Sequence, residues 1–279
     1  MAGSPLVTLN DGKKMPQLGL GVWQINDSET ATVVKTALAL GYRSVDTAAF
    51  YKNERGVGEG VRLAQLPREE VFVTTKLWNS RHGYDEALKA FEESMTRLDL
   101  GYLDLFLIHW PVAGSLKYVD TWKAFVKLRQ EGRVKSIGVS NFNPDHLKRI
   151  VDATGVKPVV NQVELHPLMQ QKELRAVHAE LGIATEAWSP LGKGTSVNIP
   201  EIVKIATKYG KTSGQVIIRW HLDSGTIVIP KSANPQRLAD NLNVFDFRLD
   251  PADMTAMAAL DKKARMDMDP AVFTGLDLT

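Results

Sequence analysis

Leu103-Asp104-Leu105-Phe106-Leu107-Ile108-His109-Trp110-Pro111 is an almost unbroken apolar run that ends on an imidazole and is stopped by proline. A strand with one wet face would alternate polar and apolar residues, whereas a continuous run suits a strand buried on both faces of a helix-covered parallel sheet. The same unit repeats along the chain. Short β-rich runs at 18–23, 44–47, 71–78, 102–110, 134–140, 159–165, 184–191 and 226–232 alternate with helical patterns at 28–40, 54–64, 84–98, 119–130, 144–153, 171–181, 200–222 and 235–241. In the third helical segment Tyr84, Ala87, Leu88, Phe91, Met95 and Leu98 fall on one stripe at the 3.6-residue period. Eight such units favour an α/β fold of the closed (β/α)8 type, a TIM barrel, over an open doubly wound sheet. The 279 residues match the ~250 typical of one barrel, so one domain over 1–279 is expected.

The flanks read differently. Asn10-Asp11-Gly12 between short apolar segments predicts a β-hairpin over 6–17, a lid ahead of the barrel. Residues 252–260 read as a further helix and 261–279 as an irregular C-terminal tail.

Composition narrows the function. A formal charge of +2, from 34 basic and 32 acidic residues, is too small to draw the whole chain to nucleic acid or to an anionic membrane. With no cysteine, disulfides, thiolate metal sites and cysteine nucleophiles are excluded. Residues 1–9 lack a charged segment followed by an apolar one, and no run reaches the ~18 apolar residues that span a bilayer, so a cytoplasmic protein is expected. Asn26-Asp27-Ser28 matches a glycosylation sequon but is read as a turn and helix cap.

In a (β/α)8 barrel reactive groups sit where strands end, at the C-terminal face. The runs here end on Asp46 with Tyr51 just beyond it, on Lys76, and on His109. Ser140 and Asn141 close the fifth run, Gln162 and Glu164 lie on the sixth, Trp188 and Ser189 on the seventh, and Lys231 and Ser232 close the eighth. Taken singly, Asp46 could cap a turn, Tyr51 could be a rim aromatic and His109 a satisfied core histidine. Lys76 is harder to dismiss, because an unpaired ammonium in a buried strand is costly. Asp46, on the neighbouring strand and at the same level, is the expected partner.

Together the four suit carbonyl reduction. Hydride arriving at a carbonyl carbon leaves alkoxide charge on oxygen, which calls for a proton donor and an electrophilic partner there. A nearby ammonium is expected to lower the tyrosine pKa, ordinarily ~10, toward working pH. Asp46 would keep Lys76 charged and oriented, and a neutral His109 would position the carbonyl.

The chain resembles the aldo-keto reductases over nearly its whole length. The matching segments are Gly21-Val22-Trp23, Asp46 to Glu54, Thr74-Thr75-Lys76-Leu77-Trp78, Leu107-Ile108-His109-Trp110-Pro111, Gly138-Val139-Ser140-Asn141-Phe142 and Ile229-Pro230-Lys231-Ser232. It is most similar to compact bacterial members, including 2,5-diketo-D-gluconate reductases. The resemblance implies a catalytic tetrad at Asp46, Tyr51, Lys76 and His109, with Tyr51 as general acid, and NADPH/NADP+ as cofactor.

It also implies how the cofactor is held. Ser140, Asn141 and Gln162 would hold the carboxamide, and Trp188 would stand in for the family's stacking aromatic. Lys231, Ser232, Arg237 and the backbone after the seventh and eighth runs would meet phosphates, and Ser189 and Leu191 would also bind the cofactor. Lys231, Ser232 and Arg237 would take the adenosine 2′-phosphate, and Asn241 the adenine. Where relatives often carry further basic residues, this chain has Ala233-Asn234-Pro235, which narrows the expected margin for NADPH over NADH.

No histidine pattern has metal-ligand spacing, so no metal is expected. Gly56-Val57-Gly58-Glu59-Gly60 lacks the spacing of a dinucleotide fingerprint. Trp23, Phe50, Trp78, His109 and Trp110 would line the substrate pocket, and short loops at 112–117 and 192–199 suggest that it is open and permissive. A small-molecule carbonyl substrate and a monomer are the default expectations. The sequence also allows two other readings: a nicotinamide-binding sensor with little turnover, and a metal-free hydrolase or isomerase using Asp46 and His109.

Overall fold

A computed structural model describes residues 4–278. Residues 1–3 and 279, the ends of the expected 1–279 domain and of its tail, lie outside the described residues. The hairpin is formed by β1 (Leu6–Thr8) and β2 (Lys14–Pro16), paired antiparallel. It is followed by β3 (Leu20–Gly21), α1 (Asp27–Leu40), β4 (Ser44–Asp46), α2 (Glu54–Leu63), β5 (Phe72–Leu77), α3 (Tyr84–Leu98), β6 (Leu103–Ile108), α4 (Lys117–Gln130) and β7 (Val134–Ser140). Then come α5 (Pro144–Thr154), β8 (Val160–Glu164), α6 (Lys172–Leu181), β9 (Ala184–Trp188), α7 (Pro200–Tyr209), α8 (Ser213–Asp223), β10 (Ile227–Val228), α9 (Pro235–Leu242) and α10 (Pro251–Ala259).

Strands β3 to β10 form one curled, wholly parallel sheet in sequence order. Parallel bridges Leu18↔Val228 and Gly21↔Lys231 link its two edge segments, and the Gly19 N–H donates to Val228 O at 2.9 Å. β3 and β10 are shorter than the runs 18–23 and 226–232. Pro230 brings no N–H to the ladder, and the chain beyond Gly21 turns Trp23 outward to 42% exposure.

Two apolar layers hold the sheet. One lies between the sheet and its helices and includes Phe91, Phe106, Trp122, Phe125 and Phe142. The other lies inside the curl, where Leu105, Leu107, Val160 and Ile227 meet Leu9 and Met15 of the hairpin. The hairpin thus seals the N-terminal end of the strands, pinned by Asn10 Nδ2 donating to Pro158 O at 2.9 Å and Ser136 Oγ donating to Asp11 at 2.7 Å.

The glycines of α2 are explained by packing. A Cβ on Gly58 would sit 1.8 Å from Leu98 O, and one on Gly56 2.5 Å from Asp27 O. α2 therefore lies backbone-close to its neighbours. Asn26 is the N-cap residue of α1, though its side chain makes no capping bond, while Asp27 Oδ1 accepts the Gly56 N–H at 2.8 Å. Among the described residues no helix is long and apolar enough to cross a membrane.

Candidate active site

The C-terminal ends of β4, β5 and β6 bring the four singled-out side chains together. Asp46 ends β4, a short 3-10 turn (Ala49–Tyr51) carries Phe50 and Tyr51 back over the rim, Lys76 lies on β5, and His109 follows β6. Lys76 is fully buried, with Nζ 2.5 Å from Asp46 Oδ1, 2.9 Å from Thr47 O and 3.3 Å from Tyr51 Oη. Burial alone would lower the Lys76 pKa, but the Asp46 carboxylate and then the Tyr51 oxygen carry it above its ordinary value.

Tyr51 differs from expectation. Burial raises its hydroxyl above the ordinary tyrosine value, and the Lys76 ammonium only moderates that rise. The sequence identified the opposing charge but not the size of the desolvation, which wins here. The resting hydroxyl is thus a protonated donor. His109 matches the expected neutral imidazole: burial first, and Lys76 second, hold its pKa well below the usual value. Its ring lies edge-on to Tyr51 and Trp78, with centroids at 5.7 and 5.1 Å.

Above these groups is a cavity of about 270 Å³. Phe50 stacks on Trp78 at 3.8 Å and beside Trp23 at 5.8 Å, and Trp110 completes the aromatic wall. The cavity is not the open pocket that the short loops suggested, because the C-terminal tail crosses it. Met268, Phe273 and Leu278 line it, and Phe273 packs on Trp110 at 4.6 Å. Backbone oxygens of Phe273, Thr274 and Leu278 accept from Ala113 N, Asn79 Nδ2 and Trp78 Nε1 at 3.0, 2.7 and 3.1 Å.

The start of the tail is anchored by Glu164, a buried carboxylate at the end of β8. It accepts from Met266 N at 2.6 Å and from Asp267 N at 3.3 Å, and His166 lies 3.0 Å away. Lys193 then pairs with Asp267 at 2.7 Å. Sequence reading missed the tail residues. They lack periodicity, and only the acidic residue in the buried sixth run hinted at an anchor.

Ser140, Asn141, Gln162, Trp188, Ser189 and Lys231 all line the cavity. Ser140 Oγ donates to Gln162 O, and Asn141 Nδ2 donates to both His109 O and Ser140 Oγ. Trp188 Nε1 donates to Asn141 Oδ1 at 2.9 Å. Gln162 Nε2 donates to Asp46 Oδ2 at 2.8 Å and to Glu186 Oε2 at 2.9 Å, while its Oε1 receives no hydrogen bond from the described residues.

Leu191 packs against the main core instead of lining the cavity, and Ser232, Arg237 and Asn241 lie beyond it. The departure Ala233-Asn234-Pro235 has a structural cause. Asn234 accepts the Arg237 N–H at 3.0 Å as the cap of α9, and Pro235 opens that helix. Neither Lys231 nor Arg237 is in an ion pair among the described residues, and both are exposed. No group of three or more potential metal ligands occurs there either.

A model of the aldo/keto reductase family matches residues 15–262. The chain belongs to the aldo/keto reductase family. This aldo-keto reductase is 55% identical over 270 residues to an aldo-keto reductase of Mycolicibacterium smegmatis, covering 97% of this chain and 98% of the relative. It is 51% identical over 277 residues to the methylglyoxal reductase DkgA of Escherichia coli K12, covering 99% and 100%. Among solved structures, a Gox0644 variant in complex with NADPH superposes with a TM-score of 0.93 at 56% identity, covering 96% of this chain and 98% of that one.

Proposed function

We propose that this aldo-keto reductase uses NADPH to reduce small aldehydes and ketones, 2-oxoaldehydes such as methylglyoxal and sugar-derived carbonyls included, with Tyr51 as general acid. The observation that carries the reading is Lys76 Nζ held between Asp46 and Tyr51 on the floor of an aromatic cavity, beside a neutral His109. The frame is read as a closed (β/α)8 barrel, on the strength of the bridges between its edge segments.

The residues present fit a nicotinamide dinucleotide. Gln162 Oε1 is a free acceptor in the cavity, Lys231 lies on the cavity wall and Arg237 beyond it, and neither cation has an ion-pair partner among the described residues. With Asn141's amide protons used internally, Gln162 Oε1 is the natural acceptor for the carboxamide NH2, and Ser140 or Asn141 would exchange an internal bond to meet the carboxamide oxygen. Lys231, Ser232 and Arg237 would meet a 2′-phosphate, and Asn241 the adenine.

When bound, the reduced nicotinamide supplies the hydride. His109 orients the carbonyl oxygen, the Tyr51 hydroxyl donates its proton to it, and the Lys76 ammonium steadies the phenolate left behind, with Asp46 fixing Lys76 in place. A cavity of about 270 Å³ falls below the usual range of ligand pockets, ~300–1,000 Å³, which favours small substrates. The relative named methylglyoxal reductase makes that compound the first to try. Loss of reduced-nicotinamide absorbance with methylglyoxal and a panel of larger carbonyls tests the reading. Cofactor binding without turnover would favour a sensor, and no binding a hydrolase or isomerase.

A further inference from the structure

Outside the tetrad, one acidic group is sealed inside the sheet with no role in the chemistry described so far. Glu186, on β9, has no exposed surface, and its Oε1 has no hydrogen-bond partner among the described residues. It sits beside Gln162 in register and bonds it through Oε2 at 2.9 Å. The Gln162 side chain continues across the interior to Asp46 Oδ2, 116 residues away in sequence, at 2.8 Å. Both hydrogens of one amide nitrogen are thus taken by two carboxyl groups, one of them in the tetrad.

That arrangement has a geometric consequence. An amide whose NH2 is fully occupied on one side can offer only its oxygen on the other. Gln162 lines the cavity, and its oxygen is not bonded by the protein. We propose that Glu186 is a positioning residue for the reduction: by taking the second N–H of Gln162 it locks that amide with its oxygen toward the nicotinamide carboxamide. The inference rests on the cofactor placement proposed above. Without Glu186 the second N–H is a buried donor with no partner, and the amide gains by turning or shifting to find one.

The charge on Glu186 adds a second effect. Burial first, and the Asp46 charge second, push its pKa up to about 8, against the Gln162 hydrogen bond and Lys76. At neutral pH it is therefore protonated, and Asp46 and Lys76 balance. Above about pH 8 its carboxylate adds a negative charge that makes Tyr51 hold its proton more tightly. The titratable groups facing it are Asp46 on β4, Tyr51 after β4 and Lys76 on β5; its strand neighbours are the neutral Gln162 on β8 and Ile227 on β10.

The test uses wild type, Glu186→Gln and Glu186→Leu. NADPH dissociation constants come from quenching of tryptophan fluorescence, and kcat and KM for methylglyoxal from pH 6 to 9.5. Wild-type kcat should fall about three- to tenfold as pH passes through ~8. Glu186→Gln keeps an acceptor for Gln162 but cannot ionise, so it should lose that inflection while holding pH 7 turnover within about threefold. Glu186→Leu should weaken NADPH binding about three- to tenfold and lower kcat. If Glu186→Leu does not fold, Glu186→Val, which removes the acceptor with less added bulk, takes its place in the NADPH titration and the kcat measurement.

A turning wild type whose inflection survives in Glu186→Gln, or a Glu186→Leu with wild-type NADPH affinity and kcat, overturns the inference and leaves the functional reading intact. A wild type that neither binds NADPH nor reduces any carbonyl overturns both.

Discussion

The Lys76 ammonium lies 3.3 Å from the Tyr51 hydroxyl oxygen, close enough to steady a phenolate as it forms but not to outweigh burial in the resting protein. The same ammonium neutralises Asp46 at 2.5 Å. Removing it leaves a buried carboxylate alone, at a cost of about 3–5 kcal/mol. Lys76→Met is expected to unfold at distinctly lower urea and to lose more than about a hundredfold in turnover. Adding Asp46→Asn should restore much of the stability and none of the turnover. Recovery of turnover in the double variant would show that the pair serves folding only.

Lys231 on the cavity wall and Arg237 beyond it present charges with no ion-pair partner among the described residues. If both grip the 2′-phosphate, each charged hydrogen bond contributes ~1.5–3 kcal/mol, roughly tenfold to over a hundredfold in affinity. Arg237→Ala should weaken NADPH far more than NADH, and wild-type preference for NADPH should shrink as salt rises. Equal losses for the two cofactors, by titration at low and high salt, would put Arg237 on the adenine instead.

Three buried histidines away from the cavity set an acid limit on stability. Burial holds His82 at about 4 with help from Lys117, His178 at about 4 with help from Arg175, and His221 at about 3. A histidine depressed in the fold binds its proton more readily when unfolded, so its contribution is complete above pH ~6.5 and lost as pH falls toward the folded value. Gaps of this size correspond to roughly 3–5 kcal/mol per group. Glu186, Asp46 and Asp104, whose carboxyl pKa values burial raises, work the other way, while His109 and His146, also held low by burial, add to the loss. Unfolding free energy from urea titrations should drop by several kcal/mol between pH 7 and 4.5, and a flat profile would contradict the burial of these rings.

The residues that were legible in the sequence share one property. Asp46, Lys76 and His109 each interrupt an apolar run, and the rule that barrel chemistry sits at strand ends gathers them on one rim. Glu164 and Glu186 interrupt buried runs in the same way, so the signal for the tail anchor and for the Gln162 partner was present. What could not be read was direction, since whether Glu186 faces the interior or a helix depends on register. Phe273 and Leu278 were hidden for a different reason. Their positions are fixed by a few irregular contacts, Phe273 to Ala113, Asp269 and Trp110 and Leu278 to Trp78, not by any periodic pattern. The sign of the Tyr51 shift needed the depth of burial, which no residue list contains.

Phe273 closes the cavity by packing on Trp110 at 4.6 Å. An aromatic pair of this kind is worth ~0.5–1.5 kcal/mol beyond area. Phe273→Ala should raise KM for methylglyoxal about two- to tenfold with little change in kcat, and should improve turnover of bulky aromatic aldehydes. Unchanged selectivity across a size series would mean that the tail does not limit the pocket.

If the Tyr51 hydroxyl gives the proton while other residues hold the cofactor, Tyr51→Phe removes the one atom that matters to the proton and none that matters to binding. NADPH dissociation constants and kcat with methylglyoxal, measured side by side on wild type and variant, should show affinity within about threefold and turnover lower by ~10²–10⁴. A Tyr51→Phe protein that keeps more than about a tenth of wild-type turnover would contradict the assignment, since loss of a proton donor should cost at least ~10².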